Sequence, residues 1–337
     1  MPLAYVSNFS DGTVSVIDTD PNPPIVVETY QIGGNPFGVA LTPDKQRLLV
    51  TLYDTGGVFL LEAGLGGGAQ LGGALLQNSA RGVAVTPDGN RAYVAAYMNE
   101  LDPLLGTQGY LGMIDISTVP PGGSQNTVGI YGLANPYGVA IYSGTLGTRV
   151  YVADLGVIFG QGAVVVFDNN SPTTGPQPLL GYNYENNPFA GPADVAVFPD
   201  GLVFATQYSF FDRPTFPEGF VTAVKGFREG LAVPAPFTVD TPGQPAGLAV
   251  AANAGVLYVA DYYGGIVTAI DVARRQVIAS SDAILKGPIG VAVTPNGEWL
   301  YVANSASNTV TLMDIESLGK IVHYSIAVGN APYYIAM

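Results

Sequence analysis

The chain contains no cysteine, a single histidine and few cations: four Lys and eight Arg stand against 26 acids in 337 residues, for a formal net charge of −14. Without cysteine, neither disulfides nor thiolate metal sites can form. With His323 as the sole histidine, a multi-histidine metal centre is excluded, and the repeat register described below puts His323 on an outermost strand, away from any central site. So few cations cannot lay a basic track along phosphates, which argues against nucleic acid and, for the same reason, against an anionic membrane surface. Charged residues make up only 11% of the chain, less than half of the usual share of about a quarter. Long apolar runs are missing too. The stretch over 58–76 comes nearest to one, but Glu62 and six glycines interrupt it, so no membrane insertion is expected. Residues Met1 to Val6 lead directly into a strand pattern, which fits a mature domain with an initiator Met and no signal peptide.

What is present is apolar and turn-rich. Apolar residues reach 48%, enough for a large core, and 44 Gly with 26 Pro supply many tight turns between short strands. Aligned on itself, the chain repeats one phrase: Pro-x-Gly-Val-Ala, then Thr-Pro-Asp-Gly, then Tyr-Val-Ala-Asn. Its clearest copy runs from Pro288-Ile289-Gly290-Val291-Ala292 through Thr294-Pro295-Asn296-Gly297 to Tyr301-Val302-Ala303-Asn304. Other copies begin at Pro36, Ala80, Pro136, Pro192 and Pro245, and one is split between Pro332 to Ala336 at the end and Ala4 to Asn8 at the start. Successive copies lie 44, 56, 56, 53, 43 and 44 residues apart; seven units of roughly 40 to 56 residues match one propeller blade per repeat.

Each part of the phrase has a mechanical reason. Gly-Val-Ala-Val alternates small and branched side chains, as an innermost strand needs where blades crowd an axis. Pro-Asp-Gly presets φ, offers a side-chain acceptor and tolerates positive φ, which makes a tight hairpin. Tyr-Val-Ala forms a second strand, and a third often ends in an acid, as at Asp18, Asp115, Asp168, Asp271 and Asp314. The fold class that follows is all-β: a single domain over 1–337, a seven-bladed β-propeller of four-stranded antiparallel blades. The expected blades cover 36–79, 80–135, 136–191, 192–244, 245–287, 288–331, and 332–337 with 1–35. The C-terminal strand is expected to pair with the N-terminal strands, so that the ring has no open edge.

The Tyr-Val-Ala-Asn and Tyr-Val-Ser-Asn copies resemble the YVTN family of β-propeller repeat proteins, over essentially the whole chain. The resemblance implies the propeller fold, and it implies export to an extracytoplasmic location, periplasmic, secreted or cell-surface, because relatives include surface-layer and exported proteins. Similar propellers occur in lactonases, lyases and redox enzymes, so function has to be argued from the site.

Loops joining second and third strands share a face with the blade-to-blade segments. They are short at 8–13, 53–57, 261–265 and 304–309, and long at 97–110, 154–162 and 207–219. The long ones belong to consecutive blades and, with 181–192, should raise a wall over one side of the funnel. That wall is aromatic and acidic. Its candidate binding residues are Tyr97, Asp102, Phe159, Tyr182, Tyr184, Tyr208, Phe210, Phe211 and Phe216, with Met98 among its apolar members. Loops on a rigid scaffold commonly carry recognition; the plainer reading is that these rings fold back over their own loops. Asp154 and Asp261 take the Asn position of the repeat and Asp194 takes a Gly position. They are the candidate metal ligands, for calcium or another divalent cation, with turn capping as the plainer role. No contiguous calcium loop is present, no cofactor is required, and Gly66-Gly67-Gly68 lacks the Lys and helix of a phosphate loop, which leaves it a slack connection. The expectation is a non-enzymatic, monomeric scaffold for a protein, peptide or glycan. A metal-assisted hydrolase or lyase using funnel carboxylates is the alternative.

Overall fold

The computed structural model describes residues 2–76, 79–98, 109–117, 123–124, 127–145, 147–156, 162–169, 177–178, 191–206, 223–228, 237–241, 244–316 and 322–337. The chain is an all-β propeller of antiparallel, four-stranded blades. Its strands form six four-stranded sheets and one five-stranded sheet. The sheet starting at Pro288 shows the pattern: Pro288–Val293, Trp299–Asn304, Thr309–Asp314 and Val322–Ala327, in sequence order and antiparallel throughout. His323 lies on the outermost of these strands. The five-stranded sheet departs from the repeat: outside Gln70–Leu75, the fourth strand of the sheet that begins at Pro36, Gly123–Ser124 adds a short parallel strand from the following copy.

Elements form where the repeat places them because its turns are closed twice. In Thr42-Pro43-Asp44, the Thr42 hydroxyl donates to the Asp44 carboxylate at 2.5 Å and accepts the Arg47 N–H at 3.1 Å. Thr86 with Asp88 and Thr294 with Asn296 repeat the device. The threonine thus locks the acceptor whose geometry defines the turn. Acids that end third strands close the next turn: Asp115 accepts the Ser117 N–H and Asp314 the Glu316 N–H.

The core lies between sheets. Each repeat aromatic on a second strand is at most 2% exposed and packs on the second strand of the next sheet: Tyr93 on Val150 and Val152, Tyr151 on Val203, Phe204 on Leu257 and Val259, Tyr258 on Leu300 and Val302. Tyr301 packs on Ala4 and Val6, and Tyr5 on Leu48 and Val50. Burying one such ring contributes about 1.5–3 kcal/mol. The innermost strand Pro332–Ala336 pairs with Leu3–Asn8, with Tyr5 opposite Ala336 and Asn8 opposite Pro332. It packs against Pro288–Val293 on one side and Pro36–Leu41 on the other.

The innermost strands do not alternate simply. Pairing slips between Pro36 and Val39, Ala80 and Val83, Pro136 and Val139, Pro245 and Leu248, and Pro288 and Val291. Each Pro-x-Gly is therefore a bulge, which breaks the ladder and re-aims the residue after the Pro. The Gly66-Gly67-Gly68 connection is not slack either. The Gly66 N–H donates to Glu28 at 2.8 Å, the Gly64 N–H donates to the Tyr5 hydroxyl at 2.7 Å, and the Tyr30 hydroxyl donates to the Gly64 carbonyl.

Candidate functional site

The bulge puts the residue after each Pro at the start of an innermost strand, beside the end of a second strand: Pro36 faces Leu52, Ser79 faces Tyr97 and Asn8 faces Pro332. Phe37, Arg81, Tyr137 and Tyr333 thereby converge with Phe9, Tyr53 and Tyr97 at one edge of the innermost strands. Phe37, 1% exposed, is the hub. Its ring centre lies 5.3 Å from Tyr137, 5.1 Å from Tyr333, 5.4 Å from Tyr334, 5.7 Å from Tyr53 and 6.3 Å from Phe9. Tyr137 and Tyr333 belong to two different sheets, so the rings link innermost strands of separate blades. Aromatic pairs at these separations are worth about 0.5–1.5 kcal/mol beyond their buried area.

Arg81 sits within this cluster, 6% exposed. Its guanidinium carbon lies over three rings, 5.4 Å from Tyr53, 4.9 Å from Tyr97 and 5.0 Å from Tyr137. Nη1 donates to the Asn135 side-chain oxygen at 2.6 Å and to the Pro136 carbonyl at 3.2 Å, while the buried Nε has no partner. No carboxylate among the described residues pairs with it. Such a cation relies on ring faces, at about 0.5–2 kcal/mol each, against a desolvation cost of several kcal/mol.

Of the expected wall residues, Tyr97 is brought to this cluster, as a face for Arg81. Met98 instead enters the core at 6% exposure, beside Ala80 and Ile114. Asp102, Phe159, Tyr182, Tyr184, Tyr208, Phe210, Phe211 and Phe216 lie outside the described residues. Phe9, Phe37, Tyr53, Arg81, Tyr137 and Tyr333 were not singled out by the sequence reading. The available signal was the variable residue between the repeated Pro and Gly.

The three acids occupy separate settings. Asp154 accepts the N–H groups of Ala134 at 2.8 Å, Asn135 at 2.6 Å and Gly156 at 3.2 Å. Burial nevertheless pushes its carboxyl up, with those three bonds and the Arg81 charge opposing. Asp261 accepts Gln244 N–H at 2.9 Å and Gly264 N–H at 2.7 Å, leaving Oδ2 buried without a partner; burial raises its carboxyl also. Both therefore tie the end of a second strand to neighbouring loops, whereas Asn8 and Asn304 in the same repeat position bond across to the adjacent third strand, through the hydroxyls of Thr13, Ser15, Thr309 and Thr311. Asp194 differs. Its carboxylate accepts its neighbour Val195 N–H at 3.0 Å and, across the seam, Leu248 N–H at 2.9 Å. Burial raises it to about 7 against those two bonds. Its charge in turn adds to the burial that holds the Tyr334 hydroxyl well above the usual phenol range. Among the described residues, no group of three His, Asp or Glu side chains is arranged to hold a metal.

No family model matches the chain, and no curated relative is found. Solved structures do resemble it. Hydrazine synthase of Kuenenia stuttgartiensis matches with a TM-score of 0.74 at 19% identity, over 92% of this chain and 91% of that one. A periplasmic gluconolactonase of Pseudomonas aeruginosa matches at 0.70 and 15%, over 99% and 98%. A functionally unknown protein of Desulfotomaculum acetoxidans matches at 0.70 and 15%, over 100% and 98%. At such identities the likeness is one of fold: the class is the β-propeller, and activity has to come from the site.

Proposed function

We propose that the chain is an exported or cell-surface propeller, related to the YVTN repeat proteins, that binds a protein, peptide or glycan through one face and performs no chemistry there. On this reading the ring has seven blades, with Gly123–Ser124 an added strand on one of them, and Pro332–Ala336 closes it. The observation that carries the binding reading is the aromatic cluster around Phe37, three of whose rings, Tyr53, Tyr97 and Tyr137, lie against the buried Arg81. Rings on a rigid scaffold offer contact area at little entropic cost. Tyr53, 38% exposed, presents part of that surface to solvent. Among the described residues no helix is long and apolar enough to cross a membrane.

The test compares the intact chain with a variant whose three long loops are cut to the lengths of the short ones, and with Tyr53→Ala. A partner from envelope or secreted fractions that the intact chain holds and both variants release supports this reading. A partner that survives in both variants shows that the face is not the site.

One observation favours a second reading. Asp194, with its carboxyl raised by burial to about 7, exchanges a proton near neutral pH, as a hydrolase or lyase acting on a lactone with calcium or another divalent cation would require. On that reading, lactone turnover disappears in Asp194→Asn and after chelation. The absence of turnover by the wild-type chain with divalent cations supplied sinks it.

A further inference from the structure

Arg81 is a buried cation with no counter-ion among the described residues. Twelve Lys and Arg serve the whole chain, and this one stands in its aromatic centre. Nη1 accounts for both of its hydrogen bonds, and both acceptors, the Asn135 amide oxygen and the Pro136 carbonyl, are neutral. Nε and Nη2 donate to no acceptor among the described residues. These two atoms make one edge of the guanidinium, and that edge is the fork that fits the two oxygens of a carboxylate. Asp154 feels the Arg81 charge, but its own oxygens are taken by the N–H groups of Ala134, Asn135 and Gly156. The guanidinium carbon thus lies over Tyr53, Tyr97 and Tyr137, and its pairing edge meets no acceptor among the described residues.

We propose that Arg81 anchors the carboxylate of a ligand whose apolar, ring-bearing body lies against Tyr53 and its neighbours at the mouth. This deepens the binding reading of that face and rests on it. The anion is a monoanion of carboxylate shape. One cation in a chain of net charge −14 suits a single negative charge better than a phosphate dianion, which ordinarily draws several cations. Tyr53, the exposed member of the three rings, is the one that swings aside to admit it. A free aromatic acid and the C-terminus of a peptide ending in Phe offer the same chemistry.

The experiment titrates the full-length chain, near neutral pH, with 3-phenylpropanoate and its amide, and with Gly-Gly-Phe and its C-terminal amide. The proposal expects at least one acid to bind below about 1 mM, its amide to bind at least about tenfold more weakly, and Arg81→Lys to lose at least about tenfold. The acid that binds more tightly identifies the source. Equal binding of acid and amide, undiminished binding to Arg81→Lys, or no binding of either acid overturns it. If Arg81→Lys does not fold, the Arg81 Nε–H proton resonance of the wild-type chain decides: it moves with the acid and not with the amide, and an unmoved resonance counts against the site. These titrations leave the loops intact. A carboxylate that binds while the loop-trimmed chain keeps its macromolecular partner condemns the loop face and spares Arg81; the reverse pattern condemns Arg81 alone.

Discussion

Gly290 faces the carbonyl oxygen of Tyr333 so closely that a Cβ there would lie 2.1 Å from it, and Gly247 faces Ile289, Gly82 faces Tyr137 and Gly38 faces Arg81 at 2.1, 2.3 and 2.4 Å. In each case the oxygen belongs to the residue after the Pro in the next copy. The repeated Gly therefore allows neighbouring innermost strands to touch, and the touching carbonyl belongs to the bulge that carries the site. Hydroxyls reinforce the seam where the repeat supplies them. Thr51 accepts the Gly38 N–H at 2.8 Å and donates to the Arg81 carbonyl at 2.6 Å; Ser7 accepts the Tyr334 N–H at 3.0 Å and donates to the Phe37 carbonyl at 2.6 Å. Gly290→Ala must push two strands apart, at a cost of about 2–3 kcal/mol. Gly33→Ala meets nothing within 4 Å and suffers only from φ of +80°, about 1 kcal/mol. Denaturant midpoints of the two variants should fall in that order. A Gly290→Ala chain as stable as Gly33→Ala would show that the strands have room to spare.

Strands and turns were legible in the sequence because each copy obeys the same local rules: Thr-Pro-Asp-Gly closes its hairpin with its own side chains, and Tyr-Val-Ala fills the seam with the next Val. The bulges were not legible, since a slipped pair depends on a partner strand, and Pro-x-Gly-Val-Ala read alone looks like plain alternation. The mouth was hidden for a related reason. Its residues occupy a variable position, reading Phe37, Arg81, Tyr137, Ala193, Ala246, Ile289 and Tyr333 in successive copies, and such a position looks like noise until the ring brings distant copies together. Loop lengths are visible in one dimension, so they drew attention to 97–110 and its neighbours, and Tyr97 alone among the expected residues is described at the mouth. Asp154 and Asp261 fit a capping or a metal role equally well in sequence. The N–H groups that occupy both oxygens of Asp154 and one of Asp261 come from loops closed by long-range pairing.

Over the whole molecule, acids of opposite kinds set how stability depends on pH. Asp44, Asp88 and Asp115, on outer turns, are held below the usual carboxylate range, chiefly by hydrogen bonds from Thr42, Thr86 and Ser117. A depressed group favours the fold above its unfolded value and loses that contribution as pH falls through the folded value. Asp194, Asp154 and Asp261 are raised by burial. For them the folded state holds the proton more tightly, so their contribution is complete below the unfolded value and is lost as pH rises through the folded one. For Asp194 that window runs from 3.8 to about 7, and because it keeps partial solvent contact the loss is about 2–4 kcal/mol. The net charge of −14 acts in the same direction, since self-repulsion grows as carboxylates ionise. Together they place the stability maximum on the acid side of neutrality, near pH 4–5. Denaturant unfolding at steps from pH 4 to 8 should show wild-type stability falling and then levelling off above about 7. Asp194→Asn, which keeps an acceptor for the Leu248 N–H and cannot ionise, should flatten the slope whatever its absolute stability. Parallel curves for the two chains would mean that Asp194 titrates alike folded and unfolded, and that the axis at this point is as wet as the surrounding solvent.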